Sequence, residues 1–118
     1  MTRRDFLKLL AISGVALASP KMFNEMQNVA LSASFYSEGE IRNLRIINRA
    51  ITKEEVSALA NEVKETTYVI NIKDDDISIF KNNTKLNSEN IKIDAKILVD
   101  IINKKLESSV DINKYIKV

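Results

Sequence analysis

The chain has no cysteine, no histidine and no tryptophan, and only one proline and two glycines among its 118 residues. Without thiols there are no disulfides, no thiolate nucleophile, no haem attached through cysteine and no iron–sulfur ligation. Without imidazole, Ser-His-Asp and Cys-His catalysis are excluded. Zinc and copper sites lean on the same two side chains, so neither metal is expected. Aromatic residues are sparse, with four Phe and three Tyr, so a core has to rest on Ile, Leu and Val. What chemistry remains is that of carboxylates, Lys, Tyr or Ser, and no constellation of these reads as a catalytic centre. We therefore expect no enzyme and no cofactor.

Charge of one sign is also missing once it is divided along the chain. Arg3, Arg4 and Lys8 against Asp5 account for the whole formal charge of +2, which leaves the remainder neutral. Basic residues after position 18 are scattered among acids and have no aromatic platform, so no nucleic-acid partner is expected.

Residues 1–8 read Met-Thr-Arg-Arg-Asp-Phe-Leu-Lys. This resembles the twin-arginine export signal, Ser/Thr-Arg-Arg-x-Phe-Leu-Lys, at every position. The resemblance assigns signal recognition to Arg3, Arg4, Phe6, Leu7 and Lys8. Residues 9–18 form a mildly apolar stretch, far shorter than the roughly 20 residues of a spanning helix. Ala16-Leu17-Ala18 fits the small-x-small rule for signal peptidase, placing Ala16 and Ala18 at a cleavage site before Ser19. The simplest competing reading is an amphipathic helix that happens to start with two arginines, and a second is a signal kept as an anchor. The expected partners are the twin-arginine translocase and signal peptidase during export, then a protein partner in the periplasm. Contact with a membrane is expected only through an uncleaved signal. The expected location is periplasmic or extracellular.

Residues 19–34 show weak periodicity and read as a linker or short helix. Residues 40–47 read as a strand with imperfect alternation. Thr52-Lys53-Glu54-Glu55 is a capping box opening a helix over about 53–64, with Val56, Leu59, Ala60 and Val63 on one face. Residues 66–73 are a strand with Tyr68, Ile70 and Ile72 on one side. Asp74-Asp75-Asp76 turns into a return strand, and Asn82-Asn83-Thr84 makes another turn. Ile91 and Ile93 suggest a third strand. Asp94 is expected to cap a helix over about 95–107, with Ile97, Leu98, Ile101, Ile102 and Leu106 as its stripe. The tail at 111–118 reads as a last short strand. The fold class is α+β: a small domain over 35–118 of three to four short strands, a central hairpin and two amphipathic helices, behind a signal helix.

Within this domain, residues 35–59 resemble the closing segment of the laminin-G-like, concanavalin A-like lectin domains. The family pattern Gly-x-Ile-x-x-Val-Arg-Ile-Tyr-Asn-Arg-Ala-Leu-Ser-x-Glu-Glu-Ile is met directly by Gly39, Ile41, Arg45, Ile46, Asn48, Arg49, Ala50, Glu54 and Glu55. Leu44, Ile51, Thr52 and Val56 are conservative matches; Ile47 stands for the usual Tyr, and Arg42-Asn43 for a common acidic pair. The resemblance implies carbohydrate binding. A jelly roll needs about eight strands, more than the residues before position 35 can supply, and the family's ligand loops have no counterpart here.

Other candidate chemistry is weak. Asp74-Asp75-Asp76 could take a hard cation, but the EF-hand spacing is missing and a solvated hairpin turn accounts for it. Glu54 and Glu55 could form an acid–base pair, but adjacent helix residues diverge and both suit a helix N-terminus. Tyr68 and Tyr115 read as core or rim rather than sugar platforms. The leading expectation is an exported, non-enzymatic accessory or interaction protein. A remnant of a lectin-like domain and a small accessory subunit of an exported redox enzyme are the alternatives.

Overall fold

A computed structural model describes residues 1–17, 20–35, 40–62 and 65–115, with side chains through 106. The elements are α1 (Arg3–Ile12), α2 (Pro20–Glu25), β1 (Val29–Phe35), β2 (Ile41–Ile47), α3 (Lys53–Glu62), β3 (Thr66–Lys73), β4 (Asp76–Lys81), β5 (Thr84–Lys85), α4 (Ser88–Ile93) and α5 (Ala95–Tyr115). The class is α+β. The strands form one antiparallel sheet in the order β2-β1-β3-β4-β5.

Two-residue turns set the register of its second half. Lys73 pairs with Asp76 around Asp74-Asp75, and Lys81 pairs with Thr84 around Asn82-Asn83. Asn82 and Asn83 both have positive φ, 49° and 69°. A type I′ hairpin needs that twist, and Asn tolerates it better than most residues. The Asn82 carboxamide also accepts from the Thr67 amide at 3.0 Å, which ties this turn back to β3.

The sheet buries both faces. Tyr68, Ile70 and Ile72 of β3, Leu31, Ala33 and Phe35 of β1, and Ile77 and Ile79 of β4 belong to the main core. Phe6 and Leu10 of α1, Phe23 of α2, Ile91 of α4 and Leu98, Ile101, Ile102 and Leu106 of α5 join them there. On the opposite face Ala30 and Val69 pack with Ile51 and Val56, under the single helix α3. Here Asn71 clamps the chain: its carboxamide accepts from the Ile51 amide at 3.1 Å and donates to the Ile51 carbonyl at 3.0 Å. Both backbone groups of a buried loop residue are thereby satisfied.

Several elements differ from the sequence expectation. Of the linker or short helix expected over 19–34, the short helix is present as α2, but most of β1 also falls there and lies between β2 and β3. Residues 30–35 are buried throughout, so neither face shows polar alternation. Small Ala and Ser residues weaken the apolar signal further. The imperfect alternation in β2 comes from a bulge. Ser32 faces Arg45 and Ser34 faces Arg42, which leaves one extra residue on β2, and Asn43 there has φ 50°. The bulge returns Ile41, Leu44 and Ile46 to the same core.

The strand expected at Ile91 and Ile93 is instead α4. Asn87 caps it by accepting from the Asn90 amide at 2.9 Å, and Ile91 is buried while Ile93 is 78% exposed. Asp94 begins α5 through its backbone carbonyl, which accepts from the Leu98 amide; its side chain pairs with Lys81 at 3.5 Å instead of capping. Ile97, expected in the α5 stripe, is half-buried at its margin. The tail expected as a strand continues α5 as far as Tyr115; residues 116–118 and the Tyr115 side chain lie outside the described set. So do residues 18–19, 36–39 and 63–64, which include Ala18, Gly39 and Val63.

The capping box forms as expected. The Glu55 amide donates to Thr52 Oγ1 at 3.3 Å and the Thr52 amide to Glu55 Oε1 at 3.2 Å. Replacing Thr52 by Ala should cost on the order of 1 kcal/mol in a denaturant melt. Leu59 is half-buried beside the second core, so Leu59→Ala should fall near the low end of the roughly 2–5 kcal/mol known for buried leucines. It should still exceed the effect of Thr52→Ala.

Candidate functional site

The twin-arginine segment folds as the first helix of the domain. Thr2 caps it, its Oγ1 accepting from the Asp5 amide at 3.2 Å. Arg3, Phe6 and Leu10 recur at helical spacing and are buried, while Arg4 and Lys8 face out. Leu7 is half-buried. Of the five residues assigned to signal recognition, Arg3 and Phe6 are thus inside, Arg4 and Lys8 outside, and Leu7 at the boundary.

Arg3 is anchored by backbone carbonyls. Its Nη1 donates to the Phe23 carbonyl at 2.5 Å, and its Nε and Nη2 donate to the Asp74 carbonyl at 3.3 and 3.2 Å. The guanidinium also lies 5.6 Å from the centroid of the Phe23 ring. Burial lowers the Arg3 pKa and the nearby Asp75 charge works against that shift. Phe6 meets the same Phe23 ring at a centroid distance of 5.8 Å.

The residues before the helix pair with the edge of β4. The Ile77 amide donates to the Met1 carbonyl at 2.7 Å, the Arg3 amide to the Asp75 carbonyl at 3.0 Å, and the Met1 ammonium meets Asp76 Oδ1 at 2.9 Å. The Asp74-Asp75-Asp76 turn therefore receives the N-terminus largely through its backbone. Its carboxylates do not converge on a cation: Asp74 Oδ1 accepts from Asn28 and Asp76 from Met1. Among the described residues no group of three acidic side chains could hold a metal. With neither thiol nor imidazole present, elemental analysis of the purified chain should find no stoichiometric zinc, copper or iron.

Within the mildly apolar stretch expected over 9–18, α1 stops at Ile12. Gly14, with φ 72°, ends α1; its amide donates to the Ala11 carbonyl and the Val15 amide donates to Leu10 at 3.4 Å. This is the Schellman arrangement, which favours glycine at that position. Ala16 follows in exposed, irregular chain, and Ala18 lies outside the described residues. A shallow cleft of about 480 Å³ lies where α1 meets α2 and the Asp74-Asp75 turn, lined by Arg3, Arg4, Leu7, Lys8, Ala11, Asn24 and Asp75.

The remaining candidates separate into structural roles. Glu54 is exposed, whereas Glu55 belongs to the capping box and accepts from Arg49 through both guanidinium nitrogens, at 2.9 and 2.5 Å. These bonds lower the Glu55 pKa from 4.5 to about 2, with the hydrogen bond from Arg49 the largest cause and the Thr52 amide next. A depressed carboxylate contributes stability above its unfolded pKa and loses it as pH falls through the folded one. The contribution of Glu55 should therefore fade between pH 4.5 and about 2. An NMR titration should place its midpoint near that lower value, and Arg49→Ala should move it back up.

Sequence reasoning missed a polar cluster at the rim of the main core. Lys81 Nζ lies 5.6 Å from the Tyr68 ring centroid and 3.5 Å from Asp94 Oδ2. Burial raises the Tyr68 pKa, and the hydrogen bond with Tyr68 raises that of Lys81. A lysine held protonated is neither base nor nucleophile, and the buried tyrosine packs edge-on against Phe35. The only sequence signal for this cluster was a lysine ending one strand and an aspartate beginning a helix.

Residues 41–62, most of the segment whose sequence resembles the lectin-like closing segment, form a strand, a turn and a capped helix. They serve as an edge strand and the helix over the second face of a single sheet, joined by Arg45 and Glu62 through two hydrogen bonds at 2.8 and 2.6 Å. Comparison with protein-family models, curated proteins and solved structures gives no match to this chain.

Proposed function

We propose that this is an exported, non-enzymatic accessory or interaction protein carried by the twin-arginine route to the periplasm or beyond. One observation carries the reading: residues 2–8 meet the twin-arginine pattern at every position, ahead of a short apolar stretch and a small-x-small site. Two features of the molecule support it. Arg4 and Lys8 are exposed on one side of α1, and Ala16 lies in accessible chain. Arg3, Glu55, Asp76, Lys81 and Asp94 anchor backbone, cap or pair instead of converging on a reacting centre. No helix among the described residues is long and apolar enough to cross a membrane.

A specific observation favours a second reading. Phe6 and Leu10 are 0% and 2% exposed, so residues 1–12 act as part of the domain. On that reading the N-terminal helix is retained and the resemblance to a signal is incidental. Cell fractionation of the full chain, with intact mass, in strains with and without the twin-arginine translocase decides between them. Export with loss of about 2 kDa, the mass of some 18 residues at the chain's average, only where the translocase is present, is the expected result. A full-length protein left in the cytoplasm of both strains would favour the retained helix.

A further inference from the structure

The same arginine that the export pattern needs is the most deeply anchored residue of the helix. Arg3 is 8% exposed; its Nη1 donates to the Phe23 carbonyl in a buried bond, and its Nε and Nη2 donate to the Asp74 carbonyl in half-buried ones. Phe6 beside it is wholly buried. A receptor that reads both arginines meets an Arg3 guanidinium already bonded to backbone carbonyls while α1 is seated. The seat is also latched at its start, by the Met1–Asp76 ion pair and the pairing of Met1 with Ile77.

From this geometry we infer that the folded domain masks its own export signal, so that α1 must leave its seat before the translocase can engage it. The inference rests on the twin-arginine reading. The consequence is a self-imposed timing. The translocase sees only the undocked fraction of the chain, and its apparent affinity is reduced by that fraction. A partner or condition that opens the seat then licenses export, and the seat is built so that it can open locally. Gly14 ends the helix in an exposed turn, and irregular chain follows it through residue 17. The helix can thus swing away about that turn without unpairing β1, β3 or β4 from one another.

The test changes the seat and leaves every residue of the signal untouched. Phe23→Ala removes the ring that touches both Phe6 and Arg3. Asp76→Asn removes the partner of the Met1 ammonium and alters only an exposed carboxylate of the hairpin. In pulse-chase experiments on the full chain, Phe23→Ala should be processed about tenfold faster than wild type, corresponding to about 1.4 kcal/mol of lost docking. Asp76→Asn should be faster by about twofold, as expected for an exposed ion pair. Hydrogen exchange of the purified full chain should show α1 amides protected in wild type and faster in both variants, while β3 amides stay protected.

If both seat variants are processed at the wild-type rate while the Arg3→Lys, Arg4→Lys double variant is blocked, the masking is wrong and the signal stands. If the double variant is exported normally, the signal reading itself fails. Wild-type α1 amides exchanging like a free peptide would also overturn the masking. Should Phe23→Ala lose β3 protection, the hairpin variant alone decides.

Discussion

Changing Arg3 and Arg4 together to lysine is expected to hold the protein in the cytoplasm as a full-length precursor, with processing undetectable by gel or mass. Wild type in a strain without the twin-arginine translocase should behave the same way. The structure adds a control that the pattern by itself does not suggest. Lysine is a point charge on a flexible stem and cannot reproduce the planar fork that Arg3 directs at two carbonyls. Arg3→Lys therefore perturbs the fold as well as the signal. Arg4 is exposed, and Arg4→Lys should leave the melting curve unchanged. Loss of export in that single variant, with stability intact, would isolate recognition. Normal processing of the double variant would end the twin-arginine assignment.

Phe6→Ala should lower the stability of the full chain by roughly 3–5 kcal/mol, the range for truncating a buried phenylalanine. Phe6 is fully buried against Phe23 and the main core. Since small domains are stable by only about 5–15 kcal/mol, this is a large share of the total. The measurement is a denaturant melt of protein made without the translocase, so that processing does not intervene. A wild-type melt would mean that α1 adds nothing to the core. A large loss would mean that cleavage before Ser19 also removes core, leaving Phe23 and its neighbours uncovered until the sheet and α5 repack or a partner covers them.

Much of the fold was legible because local rules and tertiary needs agreed. The capping box at Thr52 and Glu55 satisfies helix-end groups from within four residues, so it forms wherever the helix goes. The β3–β4 hairpin follows from the alternation of Tyr68, Ile70 and Ile72 and a polar turn of matching length. The α5 stripe follows from 3.6-residue periodicity, and Leu98, Ile101, Ile102 and Leu106 are all buried. Composition alone excludes disulfides and thiol or imidazole chemistry, because those need atoms this chain lacks.

Other features depended on partners distant in sequence. The β1 strand sits inside a sheet covered on both faces, which removes the alternation that would announce it. Ile91 and Ile93 are equally compatible with strand and helix over so short a span, and the Asn87 cap with the seat beneath Ile91 decided for helix. Asp94 chose Lys81 over a capping role because folding brings that charge to 3.5 Å. The largest decision concerns residues 1–12. Their sequence resembles an export pattern and reads as an amphipathic helix at once, since Arg3 and Phe6 suit both. Only the tertiary structure, by supplying the Phe23 ring and the carbonyls of Phe23 and Asp74, turned one face of that segment into core. The physical reason is range: caps, turns and periodicity act over a few residues, whereas burial depends on which surfaces the whole chain brings together.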